Sequence, residues 1–210
     1  EITGRGGDDK YSILFTNQKT GKILCSNVIS KNCWLSAIEK YYIDWNIKIF
    51  KNSVEIINHN LDITGEKVLI VFDSRSVGDT IAWIPQVEEF RKIHKCDLYV
   101  STFHNHLFKK SYPNINFLDP NTPSEVSIKY EWWVGVYLDD VPPHHPTHWQ
   151  KLPLYQIASD QLGIKDHREI KCKIDTPPEI DFLNGEKYVC ISTASTAGCS
   201  IVSVTSSTAA

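Results

Sequence analysis

The 210-residue sequence contains no methionine, not even at its first position. We therefore expect a processed, trimmed or internal piece of a longer protein. No apolar run approaches the roughly 20 residues that a membrane-spanning helix needs. The chain also does not open with the basic and apolar regions of a secretory signal. These two absences predict a cytoplasmic protein without a membrane span.

An excess of basic charge is also missing. Lysine and arginine number 22 against 25 aspartates and glutamates, which gives a formal net charge of −3. Nucleic-acid binding favours a basic patch, so we expect no nucleic-acid partner. The hydrophobic fraction of 41% and the charged fraction of 22% are typical of a globular protein.

Paired cysteines are absent as well. The six cysteines form no C-x-x-C pair, which removes the usual spacing signal for a zinc or redox site. A disulfide framework is unexpected in a chain of this length without a secretory signal. We expect free, buried thiols.

The first 62 residues have the pattern of short strands separated by polar turns. Residues 42–50 alternate polar and apolar side chains, as in a sheet with one buried face. Residues 17–21 resemble a hairpin loop. We predict a small antiparallel β module, a sandwich or barrel, over residues 1–62, with strands at 11–16, 21–29, 42–50 and 54–61. It either docks an acceptor protein, assembles the chain into a homo-oligomer, or is a structural cap.

After Gly65 the pattern alternates strand and helix, which predicts an α/β fold with a mainly parallel sheet. The domain is expected over residues 65–185, with 186–210 as the start of a truncated second domain or a tail. Gly163 is expected to end a helix over 154–162. The other predicted elements are strands at 68–72, 97–101, 115–118, 132–137 and 187–191 and helices at 80–94 and 105–110.

The loop between the strand at 68–72 and the next helix is the first candidate site. Ligands of open α/β sheets bind beyond the carboxyl ends of the strands. Asp79 is expected at the mouth of a helix starting at Thr80, where an N-cap role alone would explain it. Gly78 permits close backbone approach. Arg75 and Ser76 bind phosphate or sugar oxygens, or Arg75 only covers the sheet edge. Pro85 predicts a kink, or a helix that is regular only from Ile84.

Histidines and tryptophans give weaker signals. His104 and His106 follow a strand end and either reach the same cleft, where they contact sugar or phosphate, or are ordinary surface histidines. A proline-rich loop at 141–149 could form a lid, and its three histidines, His144, His145 and His148, lack the spacing of a metal site. Three tryptophans either stack on sugar rings or belong to the core: Trp132, Trp133 and Trp149.

Several segments in order resemble the heptosyltransferase family of inverting glycosyltransferases, in its autotransporter branch. The first is Gly78-Asp79 with Pro85 six residues after the aspartate, and the others are residues 87–94, 99–108 and 112–117. The resemblance covers roughly residues 65–199. It implies that residues 65–185 are Rossmann-like, the acceptor-side half of a glycosyltransferase with two Rossmann-like domains.

The resemblance also implies a chemistry. Asp79 would be the general base that deprotonates an acceptor hydroxyl, on a protein or a glycan. The donor would be ADP-heptose or another nucleotide-diphosphate sugar, and the transfer would invert the anomeric centre without metal or other cofactor. Donor or acceptor contacts are expected at Arg75, Ser76, Gly78, Thr80, His104 and His106, and at Ser195 and Thr196. The last two belong to a loop resembling the family's diphosphate loop, although Ser200 stands where the family has a lysine.

Residues 200–210 are small and β-prone and carry no motif of a donor-side domain. We therefore expect this chain alone to be inactive. The alternative function is a non-catalytic module that binds an acceptor protein or forms oligomers. A dinucleotide or methyl-donor enzyme is disfavoured, because residues 71–78 contain no G-x-G-x-x-G.

Overall fold

A computed structural model describes residues 1–3, 9–120, 125–138, 141–175, 189–192 and 203–206. The chain divides into two compact units, Glu1–Lys173 and Ile174–Ala210. The boundary expected near residues 62–65 lies within the first unit and stays a prediction. In the described part of the chain, no helix is both long and apolar enough to cross a membrane.

The first unit begins with an antiparallel sheet of four strands in the order β2-β1-β3-β4. The expected hairpin loop is confirmed, because the Gly21 N–H donates to the Asn17 carbonyl at 2.8 Å. Gly21 has φ +70°, which favours glycine. The described residues here form one open sheet rather than a sandwich or barrel, and every residue of its last strand is exposed. The strands are β1 Lys10–Asn17, β2 Ile23–Ser30, β3 Trp45–Lys51 and β4 Val54–Asn60.

A polar side chain is the most buried residue of β3. Asn46 is 8% exposed, whereas its apolar neighbours Trp45 and Ile47 are half-buried. Its amide donates to the side-chain oxygens of Asn58 and Asn60, each at 2.7 Å. The predicted burial of the apolar side of residues 42–50 is therefore wrong for β3, because Trp45, Ile47 and Ile49 are only half-buried and the one buried position, Asn46, is on the polar side.

The parallel sheet predicted after Gly65 is confirmed. Four strands pair in the order β7-β6-β5-β8, and all three pairings are parallel. The strands are β5 Lys67–Phe72, β6 Asp97–Ser101, β7 Asn116–Leu118 and β8 Tyr130–Val134. The last was expected at 132–137. It ends at Val134 because the buried Gly135 N–H donates to the Gln161 side chain at 3.1 Å instead of continuing the ladder.

Two helices pack against each other and contribute to the main core: α1, Val77–His94, and α2, Leu154–Gln161. Trp83 is fully buried and donates from Nε1 to the Leu154 carbonyl at 3.0 Å. Burying one valine, leucine, isoleucine or phenylalanine side chain in such a core stabilises the folded state by about 1.5–3 kcal/mol. The expected stop at Gly163 is confirmed by its φ of +66°. The core is centred on Val68, Ile70, Phe72, Trp83, Val87, Phe90, Leu98 and Val100.

Helix α1 begins three residues earlier than expected. Ser76 occupies the N-cap position and Val77 the first turn, so Asp79 lies inside the first turn rather than before the helix. The helix also continues through the buried Pro85, although proline has no N–H for the Ile81 carbonyl. The helix predicted at 105–110 is a single 3-10 turn, Asn105–Leu107.

The second unit contains two described strands. β9, Val189–Ser192, pairs antiparallel with β10, Ser203–Ser206. The predicted donor-contact residues Ser195 and Thr196 lie outside the described residues.

Candidate active site at the carboxyl end of the parallel sheet

Asp79 is held by a hydroxyl from the loop that leaves β5. Ser74 Oγ donates to Asp79 Oδ2 at 2.5 Å and accepts from the Ser76 N–H at 3.0 Å. Asp79 is half-buried. Its other oxygen, Oδ1, accepts no hydrogen bond from the described residues. One carboxylate oxygen is therefore fixed in place and the other is available to a ligand.

The first turn of α1 leaves backbone donors uncapped. The first N–H groups of a helix have no partner within it, and the side chain of the N-cap Ser76 does not satisfy them. Thr80 is fully buried and donates its hydroxyl to the Ser76 carbonyl at 3.2 Å, so it supports the loop from inside. Gly78 is exposed, and a Cβ built on it would lie 3.6 Å from Ser76 Oγ, an ordinary contact. The fold itself therefore does not require glycine at position 78.

His104 joins the loop after β6 to the loop after β5. Its Nε2 lies 2.8 Å from the Arg75 carbonyl, and it must be the donor because a carbonyl only accepts. Arg75 in turn places its guanidinium 5.0 Å from the centre of the Phe103 ring. His106 is exposed, with its ring centre 6.4 Å from that of His104. The structure therefore brings both histidines and Arg75 together beside the start of α1.

A buried amide that sequence reasoning missed fixes the same edge of the sheet. Asn105 is 5% exposed and accepts from the Thr102 N–H at 3.1 Å. Its Nδ2 donates to the Leu118 carbonyl at 2.7 Å. The ends of β6 and β7 are thus tied together by one side chain. An asparagine in a predicted polar turn carries no sequence signal that distinguishes this role.

Two cavities lie near this edge. One, of about 530 Å³, is lined by Arg75, Phe103 and Asp119 among others. The second, of about 370 Å³, is lined by residues of β8 and its neighbours. Asp73 lines both. Sequence reasoning missed Asp73, although its position directly after β5 is the signal that could have found it.

The histidines of the loop at 141–149 contact neighbouring side chains and backbone groups of the first unit. His144 stacks on Tyr137 with ring centres 3.8 Å apart, and His148 Nδ1 accepts from the Gln150 N–H. His145 is buried beside the Gln161 side chain. Among the described residues, no group of three or more histidine, cysteine, aspartate or glutamate side chains could hold a metal ion.

Comparison with known proteins places this geometry in a functional context. No family model matches the chain. The autotransporter heptosyltransferase TibC of Escherichia coli O78:H11 (strain H10407 / ETEC) is 30% identical over 195 residues, which are 90% of this chain and 47% of TibC. The chain is similar to autotransporter heptosyltransferases. The enzyme BAHTCr of Citrobacter rodentium is 27% identical over 196 residues, and Aah of Escherichia coli is 26% identical over 196 residues.

The structural comparison agrees. The crystal structure of TibC matches with a TM-score of 0.78 and 27% identity, over 90% of this chain and 50% of TibC. A second TibC structure, a complex with ADP-D-beta-D-heptose, matches equally well. The chain spans about half the length of the curated relatives it matches. The family resemblance and the Rossmann-like fold predicted from the sequence are therefore confirmed.

TibC is an iron-containing dodecamer in its crystal structure. The expectation of a metal-free enzyme is thus not confirmed. In the part of this chain that the structure describes, no cluster of ligating side chains fits an iron ion.

Proposed function

We propose that this chain supplies the acceptor side of an inverting heptosyltransferase. The reaction transfers a heptose from ADP-heptose, or a sugar from another nucleotide-diphosphate donor, to a hydroxyl of a protein or glycan. The observation that carries the proposal is the carboxylate of Asp79, fixed by Ser74 at the carboxyl end of a parallel sheet in a chain similar to heptosyltransferases.

In the proposed reaction, Asp79 takes the proton of the acceptor hydroxyl at Oδ1. The acceptor oxygen forms a bond to the anomeric carbon as the bond from that carbon to the donor phosphate breaks. The electron pair of the broken bond leaves with the nucleoside diphosphate. Ser74 keeps Oδ2 in position during this step. A positioned general base contributes about 10²–10⁴-fold to the rate.

The surrounding groups bind the two substrates. The uncapped N–H groups at the start of α1 and the Arg75 guanidinium attract negative charge, which suits the leaving diphosphate. His104 fixes the loop that carries Arg75. His106 is exposed beside it and contacts the acceptor or the donor sugar. Ser195 and Thr196 are proposed as further diphosphate contacts by resemblance alone.

The proposal extends to the setting of the reaction. The partners are a nucleotide-sugar donor and an acceptor protein or glycan, and the chain forms homo-oligomers, as the dodecameric TibC does. The reaction takes place in the cytoplasm, where nucleotide sugars are available as donors.

A non-catalytic role in binding an acceptor protein is the second candidate. It is favoured by the exposed edge strand β4, where Val54 and Ile56 are 63% and 50% exposed.

The stereochemistry of the product tests the proposal. The protein that contains these residues is incubated with ADP-D-beta-D-heptose and an acceptor, and the anomeric configuration of the product is read by NMR. Inversion requires an α-linked heptose. A β-linked product would overturn the single-displacement mechanism, and absence of transfer with several acceptors would favour the binding role.

A further inference from the structure

The second cavity combines aromatic walls with charged side chains. It has a volume of about 370 Å³, at the small end of the ~300–1,000 Å³ of ligand sites. It lies along β8, which is an edge strand of the parallel sheet. Its lining residues are Lys40, Asp73, Glu131, Trp132, Trp133, Tyr137 and His144.

Trp133 is the most unusual member of this set. It is 46% exposed, although tryptophan has a large apolar surface that folding normally buries. Its Nε1 donates to Glu131 Oε1 at 2.6 Å, which fixes the ring relative to the carboxylate. The ring faces of Tyr137 and His144, stacked at an interplanar angle of 12°, form a second aromatic wall. Flat apolar surface is therefore presented to the cavity and held in place.

The charges of the cavity are not used by the fold. Neither Asp73 nor Lys40 makes an ion pair or a side-chain hydrogen bond with the described residues. Both are exposed, and Glu131 keeps one carboxylate oxygen beyond its bond to Trp133. Two carboxylates and one ammonium group give the lining a net negative charge. That balance disfavours a phosphate or another anion. Carboxylate acceptors and an ammonium donor in one lining suit a ligand with several hydroxyls, each of which can donate and accept.

We propose that this cavity binds a neutral sugar ring of the acceptor. The C–H face of the ring lies on Trp133, as apolar ring faces do on aromatic side chains. Its hydroxyls donate to Asp73 and Glu131 and accept from Lys40, which are charge-assisted hydrogen bonds. The role of this cavity as an acceptor site rests on the proposed transfer function. The binding of a sugar to the cavity does not require the nucleotide-sugar donor.

Ligand-observed NMR with neutral methyl glycosides tests the assignment. The protein is titrated with the methyl glycosides of glucose, galactose and mannose in the absence of donor. We expect saturable binding of at least one of them, with a Kd on the order of 1 mM. Trp133→Leu should weaken it at least tenfold, and Trp133→Phe should weaken it less because a flat ring remains.

Trp34→Leu is the matched control. Trp34 is 72% exposed and lies outside the cavity lining, so its loss should leave glycoside binding unchanged. Circular dichroism of each variant shows whether it is folded. Absence of saturable binding by all three glycosides at roughly 50 mM, where a 1 mM site is occupied, would overturn the proposal. Equal binding by the folded Trp133→Leu variant would do the same.

The same titration separates this proposal from the transfer function. Asp79→Asn should bind the glycosides normally, because Asp79 is not part of the cavity lining. Heptose transfer without any glycoside binding would overturn the sugar subsite alone. Glycoside binding together with normal transfer by Asp79→Asn would overturn the catalytic assignment alone.

Discussion

Replacing Asp79 by asparagine separates catalysis from helix stability. Asparagine has nearly the same volume, and its side-chain oxygen can still accept the Ser74 hydroxyl. It loses the negative charge and, with it, the ability to take a proton from an acceptor. The experiment belongs in the protein that carries these residues together with its donor-binding part.

The structure sets the size of the two effects. The Ser74 hydrogen bond changes from a charge-assisted bond, worth about 1.5–3 kcal/mol, to a neutral one of about 0.5–1.5 kcal/mol. A negative charge in the first turn of a helix contributes about 0.3–1 kcal/mol more. The loss of folding stability is therefore about 1–2 kcal/mol. Loss of a general base costs about 10²–10⁴ in rate, which corresponds to roughly 3–5 kcal/mol of barrier.

The assay compares thermal unfolding and initial rates of heptose transfer at a temperature where each variant is folded. Asp79→Asn should unfold a few degrees lower and lose most of its transfer rate, while Asp79→Ala should be less stable still. Asp166→Asn is the control, because Asp166 is an exposed carboxylate paired with Arg168 outside the site. Transfer by Asp79→Asn within a few fold of the unmodified protein would refute the base assignment.

Three further predictions use other residues. Gly78→Ala should leave the folding stability unchanged or raise it by up to about 1 kcal/mol, because the added Cβ meets no close contact. The same substitution should lower the rate of transfer about 10- to 100-fold, because the substrate approaches this part of the backbone. An unchanged transfer rate would show that no such approach occurs. Burial lowers the pKa of His94 below its ordinary value of 6.5, so the unfolded state binds the proton first and thermal stability should fall as the pH drops below about 6.5. His94→Gln should flatten that dependence, and an unchanged slope would contradict it. Burial raises the pKa of Cys96 to about 11, and the thiolate is the form of cysteine that reacts. Iodoacetamide at pH 8 should therefore modify the exposed Cys33 well before Cys96, which peptide mass spectrometry measures. Equal rates of modification in the folded protein would disprove this prediction.

The strands could be predicted because their signals are local. The uninterrupted apolar run at residues 68–72 is what a strand covered on both faces requires, and β5 lies there. The alternation of strand and helix after Gly65 also has a pattern that can be read along the chain, and it correctly predicted a parallel sheet. The site around Asp79 was predicted from its position after that strand, although Asp79 lies in the first turn of α1 and not in the loop before the helix.

The start of α1 was misplaced because valine and glycine are weak helix formers, so no local pattern indicated a helix at Val77. The role of Ser74 was missed because a serine hydroxyl has many possible partners, and the one chosen depends on the turn between β5 and α1. The end of β8 depends on Gln161, which is 26 residues away from Gly135. Such partners are set by tertiary packing and leave no periodic trace.

The buried amide of Asn46 determines which residues of the antiparallel sheet lie opposite each other. Asn46 pairs across the strands with Thr16 on one side and Asn60 on the other. A slip of two residues would keep the same face inward but would put Lys48 or Asp44 opposite Asn60, and Asn46 would lose at least one of the two hydrogen bonds that it donates to Asn58 and Asn60. Each unsatisfied buried polar group costs about 1–3 kcal/mol. The main effect of Asn46 is therefore on the register of the strands rather than on the strength of their association, because it makes the other alignments of the same strands unfavourable.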